Sequence, residues 1–138
     1  MVNTIDMQDL RYLNLFEKIT RISTKYCFEY NNTIFFCVPK SLIRKAVGEN
    51  ARNVKKISEI MRKRIRIIPI PRDIKDIKGF IETVVSPVPV KEIEINENEV
   101  IVGGNVQTKA ALIGRNKRRL IEMQEIIKDF FKKNFRVA

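Results

Sequence analysis

Histidine and tryptophan are absent from this chain of 138 residues, and cysteine occurs only twice. Histidine is the commonest general base and zinc ligand of proteins, and two cysteines cannot complete a tetrahedral metal site. Histidine-dependent catalytic triads and zinc centres are therefore excluded. We expect a protein that is not an enzyme and that needs no cofactor.

Long apolar segments are also lacking. No apolar run approaches the roughly 18 residues of a membrane-spanning helix, and residues 1–8 lack the basic and apolar parts of a secretion signal. A cytoplasmic protein with no membrane partner is therefore expected. In that reducing compartment, Cys27 and Cys37 are interpreted as two buried thiols rather than as a disulfide.

Positive charge is abundant, with 27 Lys and Arg against 16 Asp and Glu and a formal net charge of +11. The excess is local, because residues 40–72 hold eleven basic and two acidic residues and residues 109–138 hold nine and three. Residues 73–108 are acidic, with three basic and seven acidic residues. Two separate cationic segments are typical of a protein that binds a polyanion. A solvated surface that keeps the chain soluble is the alternative.

The chain contains an internal duplication. Residues 46–57 match residues 112–123 at a constant offset of 66, which aligns Gly48 with Gly114. An offset near half the chain length predicts two copies of one small domain. We place these domains at residues 1–72 and 73–138.

Each copy has the same predicted order of elements: helix, strand, strand, helix, helix, strand. In the first copy these are helix 7–20, strands 25–30 and 33–38, helix 40–47, the helix after the glycine, and strand 64–70. In the second copy these are helix 73–84, strands 90–96 and 99–102, helix 106–113, the long helix after the glycine, and strand 135–137. The pattern predicts an α+β fold.

Local signals support these elements. Asn31 and Asn32 separate two β-branched and aromatic runs, which indicates a hairpin. A two-residue turn there would put the two thiols on opposite faces of the hairpin, whereas a three-residue turn would put them on the same face. Asp6 and Asn105 are predicted N-caps. Helical spacing predicts three buried faces: Leu10, Leu13, Phe16 and Ile19; Val54, Ile57, Ile60 and Met61; and Leu120, Met123, Ile127, Phe130 and Phe131.

A glycine separates two helices at the same place in each copy, and the second helix begins with basic residues. Backbone N–H groups and cationic side chains therefore meet at one point, an arrangement that binds anions. Because glycine has no Cβ, we expect a phosphate to approach the backbone closely there. The candidate phosphate-binding residues are Val47, Gly48, Glu49, Asn50, Ala51, Arg52, Lys55 and Lys56 in the first copy, and Ile113, Gly114, Arg115, Asn116, Lys117, Arg118 and Arg119 in the second.

These segments resemble a known signature. Residues 47–54 (Val-Gly-x-x-Ala-x-x-Val) and 113–120 (Ile-Gly-x-x-Lys-x-x-Leu) resemble the Ile-Gly-x-x-Gly-x-x-Ile motif of KH domains. The order of elements resembles the type II, prokaryotic form of that domain. With segments 16–20 and 86–91, the tandem arrangement resembles the archaeal NusA-like transcription factors.

The resemblance implies a function. KH domains clamp about four backbone nucleotides of single-stranded RNA and bind bases in an apolar groove beside the loop. The family resemblance implies transcription termination and antitermination, with nascent RNA and RNA polymerase as partners, and we expect a monomer. The predicted groove walls are Val47, Val54 and Ile57 in the first copy and Ile113, Leu120 and Met123 in the second.

The motif departs from the signature at its second glycine, which is Ala51 in one copy and Lys117 in the other. Because both positions accept a side chain, their backbone is predicted to be helical rather than left-handed. Glu49 is also unusual, because it would repel a phosphate where Arg115 would attract one. The second loop is therefore predicted to bind RNA more tightly, although Glu49 could equally interact with the positive end of the following helix.

Three alternatives use other features. The acidic residues Glu92, Glu94, Glu97 and Glu99 could hold Mg²⁺ for a nuclease, although their alternation with Ile93 and Ile95 favours a solvated strand face. The acidic hairpin over residues 91–102 could instead dock on RNA polymerase, with only weak nonspecific nucleic-acid binding. Duplex DNA is a third alternative, since positive charge alone does not distinguish nucleic acids.

Overall fold

A computed structural model describes residues 7–138, which form six α-helices and two small sheets of three strands each. The chain divides into two compact units between Ile70 and Pro71. The predicted order of helices and strands occurs once in each unit, and the fold is α+β. Within residues 7–138, no helix has both the length and the apolar character needed to cross a membrane.

The first unit contains three helices and one mixed sheet. Its elements are α1 (Met7–Thr20), β1 (Tyr26–Tyr30), β2 (Thr33–Val38), α2 (Ile43–Val47), α3 (Arg52–Met61) and β3 (Arg64–Pro69). β2 lies between β1, which is antiparallel to it, and β3, which is parallel to it. The predicted helix over 40–47 is divided into a 3₁₀ turn and α2, because the backbone of Leu42 (φ −103, ψ 0) interrupts it. The predicted N-cap Asp6 lies outside the described residues.

The predicted hairpin of the first unit is present, and of the two turn lengths that the sequence left open it has the two-residue turn. Asn31 and Asn32 both have positive φ, 52 and 58, and the residues on either side of them are paired, as in a type I′ turn. The register pairs Cys27 with Phe36, so Cys27 and Cys37 lie on opposite faces of the sheet. Both thiols are buried and form no disulfide with each other, and burial together with the nearby Cys27 raises the pKa of Cys37.

The core of the first unit lies between its helices and one face of the sheet. Phe16 of α1 stacks on Phe36 of β2 with ring centroids 4.4 Å apart, and Ile57 of α3 is fully buried beside them. Two residues of the predicted faces are instead exposed, Leu10 by 47% and Ile60 by 55%. Successive residues of a helix are rotated by about 100° around its axis. Leu10 and Ile60 therefore lie at the edge of the apolar stripe that is turned away from the core.

The second unit repeats the plan with a longer last helix. Its elements are α4 (Ile77–Val85), β4 (Glu92–Ile95), β5 (Glu99–Gly103), α5 (Val106–Ile113), α6 (Arg118–Phe131) and β6 (Asn134–Val137). β5 is antiparallel to β4 and parallel to β6. α6 has 14 residues where α3 has 10, which is about one additional turn. That turn supplies Phe130 and Phe131, whose rings lie 5.2 and 5.8 Å from Phe80 of α4.

The predicted cap of α5 is confirmed, because the Asn105 side chain accepts a hydrogen bond of 2.8 Å from the backbone N–H of Thr108. The predicted helix over 73–84 begins instead with a 3₁₀ turn, Ile74–Asp76, which Asp73 caps. The core of this unit contains Val100, Val102, Leu112, Met123, Ile127 and Phe135, all of them buried.

Each unit has a lysine two residues after its last helix, α3 or α6. The side chain of this lysine bonds to the hairpin of the same unit. In the first unit, Lys63 pairs with Glu29 of β1, with Nζ 2.9 Å from Oε2. In the second, Lys133 is only 6% exposed, and its Nζ donates to the carbonyl oxygens of Asn96 and Glu97 at 2.7 Å each. The two lysines occupy equivalent positions in the two units, but Lys63 pairs with a carboxylate and Lys133 bonds to backbone carbonyl groups.

Candidate nucleic-acid interface

The first loop, residues 48–51, connects α2 to α3. Gly48 has φ 81 and ψ 166, and its N–H donates to the carbonyl of Arg44 at 3.0 Å, which closes α2. Asn50 (φ 54, ψ 32) and Ala51 (φ 59, ψ 29) are both left-handed. The N–H of Ala51 donates back to the carbonyl of Gly48 at 3.1 Å. The chain thus makes a tight turn of four residues and enters α3 at Arg52.

The second loop, residues 114–117, connects α5 to α6 with almost the same backbone. Gly114 has φ 74 and ψ 173, and it is followed by left-handed residues at Asn116 (φ 57, ψ 28) and Lys117 (φ 61, ψ 21). The N–H of Gly114 donates to Ala110, and the N–H of Lys117 donates to the carbonyl of Gly114 at 3.2 Å. The two matched sequences therefore form the same turn.

The prediction that positions 51 and 117 are helical is wrong. A left-handed backbone costs a residue with a side chain about 1–2 kcal/mol, and both loops contain it as part of the same tight turn. The sign of a left-handed backbone lay in the KH signature and not in these two residue types. The signature has a glycine at this position, and glycine is the residue that adopts a left-handed backbone most easily.

The structure also gives a different reason for the first glycine of each loop, Gly48 or Gly114, from the one predicted. A Cβ on Gly48 would lie 3.0 Å from Cγ of Asn53, and a Cβ on Gly114 would lie 2.5 Å from Cγ of Arg119. The side of each glycine that lacks a Cβ therefore faces the next helix of its own unit. These glycines are required by their positive φ and by this packing, rather than by the approach of a phosphate from that side.

The charges of the first loop lie mainly on α3. Arg52, Lys55 and Lys56 are exposed and share one side of that helix, because residues three and four apart are neighbours. With the exposed Glu49 and Asn50, and with Glu59, they line an open depression of about 700 Å³. The N-cap residue of α3, Ala51, makes no side-chain capping hydrogen bond. Val47, Gly48 and Ala51 are half-buried.

The charges of the second loop lie in the loop itself. Arg115, Asn116, Lys117 and Arg118 are exposed, and the N-cap residue of α6, Lys117, makes no side-chain capping hydrogen bond. Ile113 and Gly114 are half-buried. At its second position the second loop has Arg115 where the first loop has Glu49. At its fourth position the second loop has Lys117 where the first has Ala51. An anion near the amino end of α6 would meet positive side chains directly, in addition to the helix dipole.

Arg119 stands apart from the other candidate cations. Its side chain is 16% exposed, and its Nη1 donates to Oε1 of Glu122 on the same helix. Glu122 also lies 4.0 Å from Nε of Arg118, whose side chain is 63% exposed. Neither Glu122 nor Asn53 was among the predicted site residues. The spacing of Glu122 from the two arginines, three and four residues, was a visible sign of these ion pairs.

The residues predicted to line an apolar groove differ in how deeply they are buried. Val47 and Val54 in the first unit and Ile113 in the second are half-buried, as is Leu120. Ile57 and Met123, by contrast, are 0% and 1% exposed. The last two belong to the cores and do not reach the surface, so they cannot line a groove.

The acidic strand has the geometry of a solvated face. Glu92 and Glu94 are exposed while Ile93 and Ile95 are half-buried, and Glu99 pairs with Arg136 on the adjacent strand at 3.3 Å. Among residues 7–138, no group of three or more Cys, Asp or Glu side chains is placed to hold a metal ion. These observations give no support to a magnesium site.

The fold and the loops together define a class: a small α+β unit present twice, each copy with a tight turn between two helices that is surrounded by exposed cations. No family model matches the chain. It is 23% identical to the probable transcription termination protein NusA of Thermoplasma acidophilum, over 95% of this chain and 92% of the relative. It is 25% identical to the protein of the same name from Methanococcus vannielii, over 80% of this chain and 64% of the relative.

The chain is thus similar to two archaeal proteins named NusA, which confirms the resemblance inferred from its motifs. Among solved structures, the crystal structure of APE1850 has a TM-score of 0.66 and covers 96% of this chain and 99% of its own. Its sequence identity is 22%, so this likeness concerns the fold alone.

Proposed function

We propose that each unit is a type II KH domain, with boundaries at residues 1–72 and 73–138, and that the two loops bind the backbone of single-stranded RNA. The observation that carries the proposal is the recurrence of one uncommon turn, with two left-handed residues, at two places 66 residues apart. Each turn leads into a helix whose N-cap residue makes no side-chain capping hydrogen bond and whose amino end is surrounded by exposed cations. That combination suits phosphate groups.

The names of the two archaeal relatives support a role in transcription. Both are called probable transcription termination proteins. We propose that this chain acts in termination and antitermination by holding a stretch of nascent RNA. RNA polymerase is the second proposed partner, and the protein is proposed to act as a cytoplasmic monomer.

The interaction is proposed to be largely electrostatic. A KH domain holds about four nucleotides, so two domains hold about eight. If about six phosphates are neutralised, the affinity should fall with salt at a log–log slope of about −4. A complex that is insensitive to salt would contradict this mechanism.

Charge reversal in the loops tests the proposal. The affinity for a fluorescent single-stranded RNA of about 12 nucleotides is measured by anisotropy for the wild type, Arg115→Glu and Glu49→Arg. We expect Arg115→Glu to weaken binding about tenfold, because one charge-assisted contact is replaced by repulsion. We expect Glu49→Arg to strengthen binding about threefold, because it removes repulsion in the first loop.

Lys128→Glu is the matched control. It changes the net charge by the same amount as Arg115→Glu, but the exposed Lys128 lies ten residues along α6, about 15 Å from the loop. We expect less than a twofold change. Equal losses for the two variants would show nonspecific attraction rather than binding at the loop. Repeating the series with single-stranded and duplex DNA distinguishes the preferred nucleic acid.

A further inference from the structure

Asn53 and Arg119 occupy the same place behind the two loops. Each is the second residue of its helix, α3 or α6, and lies five residues after the glycine of its loop. The Cγ atoms of both side chains fill the space that a Cβ on Gly48 or Gly114 would need, at 3.0 and 2.5 Å. This position therefore supports the turn in both units.

The polar ends of the two side chains complete that support in different ways. Nδ2 of Asn53 donates to the carbonyl oxygens of Lys45 and Ala46, at 3.3 and 3.1 Å, and so joins the end of α2 to the start of α3. The guanidinium of Arg119 instead pairs with Glu122 of the same helix. Its stem packs against the loop, and its charged group is directed along α6.

The environment of Arg119 differs from that of a phosphate-binding arginine. Its side chain is 16% exposed and that of Glu122 is 18% exposed, whereas that of Arg118 is 63% exposed. To reach a phosphate, Arg119 would have to leave both the carboxylate and the space behind Gly114. The exposed Arg115 and Lys117 can be reached without any such change.

We propose that Arg119 is a positioning residue, which holds the second loop in its binding conformation and makes no contact with RNA phosphate. The proposal rests on the proposed function of the loops. Under this proposal, Arg119 is no longer one of the cations that the sequence predicts to neutralise phosphate. It also assigns the same supporting role to Asn53 in the first unit.

The salt dependence of RNA binding distinguishes a positioning residue from a phosphate contact. Each phosphate contact adds about 0.7 to the magnitude of the log–log slope for single strands. We therefore compare Arg119→Met, which keeps most of the stem and removes the charge, with Arg119→Ala, which removes both. Arg115→Met is the reference for a lost contact, and Lys128→Met is the control for a lost surface charge.

We expect Arg115→Met to lower the magnitude of the slope by about 0.7, and both Arg119 variants to leave it unchanged. Arg119→Ala should weaken binding several-fold more than Arg119→Met, because only the alanine variant loses the stem behind the loop. A slope lowered by about 0.7 in Arg119→Met would overturn the proposal. Equal losses of affinity in the two Arg119 variants would also overturn it.

A second measurement does not require RNA. Hydrogen exchange of the backbone amides at residues 114–117 should become faster in Arg119→Ala and stay unchanged in Arg115→Met, because only the first loses support for the loop. Unchanged exchange in Arg119→Ala would contradict the positioning role. By contrast, if Arg115→Met alters neither affinity nor slope, the RNA-binding function of the second loop fails, whatever the exchange result for Arg119.

Discussion

The first loop and the second loop have the same backbone and different charges. Their glycines have φ 81 and 74, and each is followed by left-handed residues at the third and fourth positions. At the second position the first loop has Glu49 and the second has Arg115, both exposed. The turn accepts either sign of charge, because these side chains project from it and take no part in holding it.

The features that hold the turn lie on its other side. Asn53 and Arg119 pack against the two glycines, although one bonds to carbonyl groups and the other to a carboxylate. Shape and charge therefore depend on separate residues. Substitutions at the glycines and behind them should change stability, and substitutions at the exposed positions should change binding.

The largest effect is expected from alanine at the two glycines. Positive φ with ψ near 170 is a region that almost only glycine adopts, and forcing another residue into it costs about 1–3 kcal/mol. Gly48→Ala should lower the free energy of unfolding by about 2 kcal/mol. Gly114→Ala should lower it by about 3 kcal/mol, because the new Cβ would also collide with Cγ of Arg119 at 2.5 Å. Urea denaturation followed by circular dichroism measures both values.

Gly79→Ala is the control for these variants. Gly79 lies in α4, and apart from its chain neighbours and the nearby backbone of α4 no described atom lies within 4 Å of an added Cβ, so alanine should raise the stability by about 0.5–1 kcal/mol. If Gly114→Ala proved as stable as the wild type, the strain attributed to the second loop would be absent. The same strain makes aspartate at either glycine a poor test of phosphate binding, since it would disturb the turn as well.

The next effect concerns the two lysines at the helix ends. Lys133→Met should destabilise the protein by about 2 kcal/mol, because it removes a buried charged donor from two carbonyl groups. Lys63→Met should cost about 0.5–1 kcal/mol, because the ion pair with Glu29 is about one-third exposed and water can replace it. The exposed Lys128→Met is the control for both. A larger loss for Lys63→Met than for Lys133→Met would reverse the assigned order.

Much of the fold was predictable from local sequence patterns. The Asn31–Asn32 turn, the Asn105 cap and the 3.6-residue spacing of apolar residues all act within a few residues, and they predicted the elements they belong to. Where several apolar residues shared a helix, spacing alone did not show which edge of the stripe faces the core. Leu10 and Ile60 were therefore assigned to the core and are exposed.

The candidate site was predictable in position and less so in conformation. The matched glycines located both loops, because glycine followed by basic residues is a local signal. The left-handed backbone at Ala51 and Lys117 was missed, because neither residue type prefers it and only the surrounding turn imposes it. The support from Asn53 could not be predicted either, since its partners are carbonyl groups of the preceding helix.

The smallest stability effect follows from that left-handed backbone. Ala51→Gly and Lys117→Gly should each raise the free energy of unfolding by about 0.5–1 kcal/mol, because relief of the strain exceeds the added entropy of the unfolded chain. Their effects on RNA binding should differ. Lys117→Gly removes an exposed cation and should weaken binding several-fold, whereas Ala51→Gly removes only a methyl group and should leave the affinity unchanged.

These two variants change the same position of the turn, its fourth residue. They test the effect of the loop conformation separately from the effect of the side-chain charge. Because both replacements suit the same backbone, a greater loss of RNA affinity in Lys117→Gly is expected from the lost lysine charge and from the larger share of binding assigned to the second loop. Denaturation and anisotropy on the same samples give the two quantities. A loss of stability in both variants would show that the left-handed residues are unstrained. An equal loss of affinity would instead show that flexibility of the turn, rather than its charge, limits binding.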